Sequence, residues 1–152
     1  MPPARSSAEI AALYQEMILD HYRRPRNKGT LENPDASVEI KNPLCGDEIG
    51  LQVAFDGDSV SDLKFSGRGC SISLASASMM TQLVKGKRTE EIDSIRKQFR
   101  DLMLGDSSAA DDPQLGSLRA LSGVARFPAR VKCALLAWNA LESALAERHY
   151  QR

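Results

Sequence analysis

The residues best equipped for chemistry in this chain are three cysteines and one aspartate. Cys45 and Asp47 stand two apart in Asn42-Pro43-Leu44-Cys45-Gly46-Asp47. Cys70 follows Gly67-Arg68-Gly69, and Cys133 follows Arg130-Val131-Lys132. In an extended stretch residues i and i+2 point the same way, and Gly46 lets the backbone bend so that a sulfur and a carboxylate oxygen can converge. Cys70 opens a stretch predicted as helix, where the macrodipole and free amides favour a thiolate. Three thiolates and one carboxylate make a four-coordinate set, and soft sulfur ligands suit zinc, copper(I) or iron–sulfur clusters. Zinc held by all four would leave a net charge of about −2. Arg68, Arg130 and Lys132 are near enough in sequence to offset it if they turn inward. A carboxylate is a harder ligand than a fourth thiolate, so one ligand of such a set can be exchangeable. A second reading stays open at this level. Isolated cysteines are commonly plain buried residues. The chain has no C-x-x-C, and gaps of 25 and 63 residues match no zinc finger.

The elements that must position these side chains follow from periodicity. Ser6-Ser7-Ala8-Glu9 offers a capping box, and Ile10, Leu13, Tyr14, Met17, Ile18, His21 and Tyr22 recur at helical spacing until Pro25 stops the helix near Arg24. His21 lies on that apolar face and reads as a core or boundary histidine, whereas His149 reads as solvated. The basic run Arg23-Arg24-Pro25-Arg26-Asn27-Lys28-Gly29 reads as a solvated connection, with a partner-docking patch as the alternative. Val38 and Ile40, then Ile49, Leu51, Val53 and Phe55, alternate as strands. Asp56-Gly57-Asp58 is a hairpin turn, and Val60, Leu63 and Phe65 return with one break of parity that a bulge would explain. A three-stranded antiparallel meander over residues 37–66 results. Ser71 to Val84 reads as a helix of small residues closed by Gly86. Thr89 caps a further helix with Glu90 and Glu91 in its first turn, ending at Gly105. Residues 105–117 read as a flexible acidic loop, Leu118, Leu121 and Val124 as a short helix. Pro128 starts the last helix, whose stripe of Val131, Ala134, Leu135, Trp138, Leu141 and Leu145 reads as core packing.

A short meander followed by several helices predicts an α+β fold. At 152 residues, a single domain over 1–152 is expected. Twenty basic residues balance twenty acidic ones, so global charge makes no case for nucleic acid or an anionic membrane. No apolar run approaches the roughly 20 residues that span a bilayer. Met1-Pro2-Pro3-Ala4-Arg5 lacks the apolar stretch of a secretory signal, which leaves the cytoplasm, with reduced thiols, as the expected compartment. Three cysteines, an odd and widely spaced set, argue against a disulfide framework.

Four segments carry a resemblance to a known family. They are Asp20-His21-Tyr22-Arg23-Arg24-Pro25-Arg26-Asn27-Lys28-Gly29, Pro43-Leu44-Cys45-Gly46-Asp47, Gly67-Arg68-Gly69-Cys70-Ser71-Ile72-Ser73 and Arg130-Val131-Lys132-Cys133-Ala134. In combination the chain resembles the IscU/NifU-N-type iron–sulfur assembly family, most closely its SufU branch, from about Leu13 to Leu145. The resemblance implies a small three-stranded antiparallel sheet packed by about five helices (SufE/IscU-like), with Cys45, Cys70 and Cys133 converging at one end. Scaffolds of the IscU branch carry a histidine directly before the third cysteine, where this chain has Lys132. The extra sequence around residues 105–126 also looks like the SufU branch. That branch implies zinc held by Cys45, Asp47, Cys70 and Cys133. It implies a SufS-type cysteine desulfurase as partner, with downstream iron–sulfur assembly proteins beyond it. The implied activity is that of an enzyme-like carrier, a zinc-dependent sulfurtransferase. In it a partner ligand displaces Cys45 from zinc, and Cys45 then accepts persulfide sulfur. The alternative is a scaffold on which the same ligands hold iron or a [2Fe–2S] cluster for assembly and transfer.

Overall fold

The structure, a computed structural model, describes residues 7–42 and 46–151, apart from the side chains of 7 and 148–151. Its element order is α1 (Ser7–Arg23), β1 (Ala36–Asn42), β2 (Asp47–Asp56), β3 (Ser59–Arg68), α2 (Ser71–Val84), α3 (Thr89–Met103) and α4 (Pro128–Gln151). Two 3-10 segments, Ser107–Asp111 and Pro113–Arg126, join α3 to α4. The expected Ser6 cap of α1 lies outside the described residues.

The sheet is a meander in the order β1-β2-β3, antiparallel throughout. Period-2 alternation builds it: Asp47, Ile49, Leu51 and Val53 of β2 are buried on one face, and Glu48, Gly50 and Gln52 look to the other. The expected bulge is present. Ala54 pairs with Asp62 but Phe55 pairs with Val60, so Ser61 of β3 is the extra residue that restores parity. α4 crosses the inner face of β1 and β2, and α2 packs between α1 and α4. Ala75, Ser76, Ala77 and Ser78 of α2 are all fully buried, and side chains this small let three helices approach closely. Ser76 Oγ donates to the Ala134 carbonyl of α4 at 2.7 Å. In the core Trp138 packs against Phe99 with centroids 5.4 Å apart and ring planes tilted by 34°.

Three sequence expectations change. Residues 105–117 are not an open loop. Asp106 accepts from the Ser108 N–H (3.0 Å) and Asp112 from the Gln114 N–H (2.9 Å), so each aspartate caps a short helical run. Ala109 and Leu115 are buried beneath those runs. Thr89 is the first helical residue of α3 rather than its cap. The Arg88 N–H precedes it and donates to the Glu91 carboxylate at 3.4 Å.

The basic run after α1 is solvated only in part: Arg23, Arg24 and Lys28 are exposed, while Pro25, Arg26 and Asn27 are half-buried. It is strapped to the body of the molecule. The Arg26 N–H donates to Ser78 Oγ (2.8 Å), Asn27 Nδ2 donates to Thr81 Oγ1 (3.2 Å), and the Phe65 N–H donates to the Asn27 carbonyl (2.9 Å). His21, buried as expected, lies 2.8 Å through Nδ1 from Ser78 Oγ. Ser78 Oγ thus stands between the Arg26 amide, which donates to it, and the His21 ring. Burial holds the imidazole below its usual pKa, and the Arg26 charge adds to that effect. Arg26 also bonds the Asp20 carboxylate at 2.6 Å, and this lowers the pKa of that group.

Candidate metal centre

Asp47 is the first residue of β2 and pairs with Asn42, the last of β1, so the four residues 43–46 close the connection between them. The Gly46 N–H donates back to the Asn42 carbonyl at 2.9 Å. β3 runs alongside β2 to the Glu48–Arg68 pair, and Gly69 and Cys70 follow beside Asp47. Two glycines make this approach. At Gly67, with φ 137°, a side chain would run into the Glu48 carbonyl. At Gly69 a Cβ would stand 2.5 Å from Asp47 Oδ1. Neither position has room for more than hydrogen.

The carboxylate meets the N-terminus of α2. Cys70 is the cap residue of that helix, in an extended conformation with no cap bond from its own side chain. Asp47 takes over from the neighbouring strand. Its Oδ1 accepts from the Cys70 N–H at 3.0 Å, and its Oδ2 accepts from the Ser73 hydroxyl. A buried anion at a helix start is stabilised by both the free amides and the macrodipole. Cys70 Sγ lies 3.7 Å from Asp47 Oδ2 and 3.6 Å from Ser73 Oγ. α4 supplies the third donor from the opposite side. Cys133 is buried in its second turn, 3.7 Å through Sγ from the Ala129 carbonyl.

Donor atoms of Asp47, Cys70 and Cys133 all lie within 4.8 Å of one another, Asp47 and Cys133 buried and Cys70 exposed. Ligands on one tetrahedral zinc sit about 3.5–3.8 Å apart, given zinc–sulfur and zinc–oxygen bonds of about 2.3 and 2.0 Å. The three donors therefore fit such an ion with small side-chain shifts. The mixed sulfur and oxygen set suits zinc better than calcium or magnesium. Of the four expected ligands, these three are brought together. Cys45 lies outside the described residues. Arg68, Arg130 and Lys132 do not turn inward to offset charge. All three are exposed, and Arg68 pairs with Glu48 at 3.4 Å. Ser73 was not among the expected site residues. Its signal was its place three residues after Cys70, which puts it on the same face of the first turn of α2.

Comparison with known proteins gives a consistent picture. The family model described as NifU-like N terminal domain matches residues 13–151. Zinc-dependent sulfurtransferase SufU of Bacillus subtilis (strain 168) is 52% identical over 93% of this chain and 95% of its own length. Iron–sulfur cluster assembly scaffold protein IscU of Streptococcus pyogenes serotype M1 is 45% identical over 91% and 86%. Among solved structures, one from thermophilic Fervidobacterium islandicum AW-1, described as a candidate iron–sulfur cluster assembly scaffold protein for the SUF system, superimposes with TM-score 0.80. It is 38% identical over 92% of this chain and 99% of its own. The N-terminal part of a NifU-like protein from Brucella abortus, 22% identical over 94% and 99%, has the same fold with TM-score 0.84.

Proposed function

The chain belongs to the NifU-like N-terminal domain family, and from that premise we propose that it is a zinc-dependent sulfurtransferase serving iron–sulfur cluster assembly. The observation that carries the reading is the convergence of Asp47, Cys70 and Cys133 at one end of the fold. Cys45, two residues before Asp47, would complete the set as the fourth ligand and the sulfur acceptor. Zinc bound there would keep the coordinating thiols deprotonated at neutral pH. The 52% identity to a zinc-dependent sulfurtransferase supports this ion over iron.

The work of the chain's own residues follows from their placement. Asp47, held from two sides by α2, and Cys133, buried in α4, form the fixed part of the site. Cys45 sits on the connection between β1 and β2 and is the residue offered to the partner. That partner is a cysteine desulfurase of the SufS type carrying a persulfide. The Cys45 thiolate attacks the outer sulfur of that persulfide. A new sulfur–sulfur bond forms on Cys45, the partner's sulfur–sulfur bond breaks, and the partner's cysteine leaves as a thiolate. No net oxidation is required. Downstream assembly proteins receive the sulfur by the same exchange. The expected setting is the cytoplasm, and no helix among the described residues is long and apolar enough to cross a membrane.

The test is turnover of a SufS-type desulfurase on cysteine, with and without the zinc-loaded protein. A large stimulation, lost in Cys45→Ala, is expected. Normal sulfur acceptance by Cys45→Ala would overturn the acceptor assignment. The scaffold reading has support of its own in the IscU relative at 45% identity. It requires a stable visible chromophore after anaerobic addition of iron and sulfide. Formation of one without any stimulation of the desulfurase would favour it.

A further inference from the structure

Ser73 is fully buried, and its hydroxyl touches both donor groups that arrive at the head of α2. It donates to Asp47 Oδ2 and lies 3.6 Å from Cys70 Sγ. The other carboxylate oxygen, Oδ1, accepts from the Cys70 N–H. Both carboxylate oxygens are therefore engaged by groups at the start of α2. The amide bond holds one oxygen of the group. The hydroxyl bond adds a second point and fixes the plane of the group relative to α2. Gly69 closes the cradle from below, since a Cβ there would displace Oδ1.

We infer that Ser73 is a positioning residue of the metal centre, whose hydroxyl orients the Asp47 carboxylate as a ligand beside Cys70. The inference rests on the zinc reading above and adds a residue to it. Partners that orient a ligand from outside the coordination sphere are worth roughly 10–100-fold in metal affinity.

The test measures zinc affinity of the whole chain by competition with a chromophoric chelator, for wild type, Ser73→Ala and Ser73→Thr. Ser73→Ala is expected to bind zinc roughly 10–100-fold more weakly. Ser73→Thr, which keeps the hydroxyl, is expected to stay near wild type. Substituting cobalt(II) for zinc adds a spectroscopic readout. The visible d–d bands of Ser73→Ala should shift from those of wild type, because the carboxylate sits differently on the ion. Unchanged affinity with superimposable cobalt bands in Ser73→Ala would overturn the inference and leave the zinc reading standing. So would a Ser73→Thr that loses zinc as Ser73→Ala does while melting, metal-free, like wild type. If the added methyl lowers the metal-free melting point of Ser73→Thr, the cobalt bands of Ser73→Ala decide alone. A wild-type chain that held no zinc at all would instead sink the zinc reading itself.

Discussion

Two fully buried serines on one helix keep different company. Ser73, in the first turn of α2, bonds a carboxylate and lies beside a thiol. Ser78, less than two turns further on, bonds the His21 ring and the Arg26 backbone. Each ties a distant segment to the helix, and each satisfies groups that would be costly to bury alone. Around Ser73 the groups are metal-capable, one soft and one hard, and a third element brings the soft Cys133 to them. Around Ser78 they are a neutral imidazole, an amide and a threonine hydroxyl, with no sulfur among them. Burial of a polar residue on α2 therefore does not mark function. The kind of donor that surrounds it, and the number of elements that deliver those donors, do.

The comparison breaks if the two regions respond alike to mutation. Asp47→Ala should have the largest effect. It removes a proposed ligand and the group that caps α2 in place of the Cys70 side chain. Zinc affinity should fall by more than the roughly 100-fold upper end for loss of an outer partner. Metal-free stability should fall by about 1 kcal/mol, as for loss of a helix cap. Chelator competition and denaturant titration of the metal-free chain measure the two effects separately. A variant that kept wild-type zinc affinity would remove Asp47 from the ligand set.

Ser78→Ala should do the opposite. It leaves the buried His21 nitrogen and the Arg26 amide without their partner, which costs about 1–3 kcal/mol. Its zinc affinity should match wild type. A weaker zinc site in Ser78→Ala would show that the two regions are coupled and that the distinction drawn between them fails.

A smaller effect sharpens the contrast through pH. His21 has a folded-state pKa below its unfolded value, so the native state binds fewer protons. Its contribution to stability is complete above about pH 6.5, the usual histidine value, and is lost as pH falls toward the folded-state value. In the metal-free chain, denaturant midpoints should decline over that acid window, and His21→Asn should flatten the decline. An equal decline in His21→Asn would assign it to other groups. Asp20→Asn should do least. Its ion pairs with Arg24 and Arg26 face solvent, and screening leaves such pairs little net effect. Its thermal midpoint should stay at the wild-type value.

Much of this architecture is legible from spacing. Alternation in Ile49, Leu51, Val53 and Phe55 fixes β2 and its buried face. The single break of parity between Val60 and Leu63 marks the bulge at Ser61. What spacing conceals is where a polar segment finds its partners. Arg26 and Asn27 read as solvent-facing because of their own chemistry, yet their backbone and the Asn27 side chain are held by Ser78, Thr81 and Phe65. Those partners lie about 40–55 residues away in sequence, beyond the reach of any local pattern. The stretch after Gly105 reads as a loop from its acidic composition, but Asp106 and Asp112 are caps. At the site, the cysteines and Asp47 stand out by chemistry, and the resemblance groups them. Ser73 does not stand out, because a serine among serines gives no sign of which one meets a carboxylate.

Cys45, Asp47, Cys70 and Cys133 are proposed to form one zinc site. X-ray absorption at the zinc edge of the loaded chain tests it most directly, because it counts the sulfur neighbours of the ion. One zinc per chain is expected, with all three cysteine sulfurs and one oxygen bound to it. Two sulfurs, unchanged in Cys45→Ala, would exclude Cys45 from the site and contradict the account.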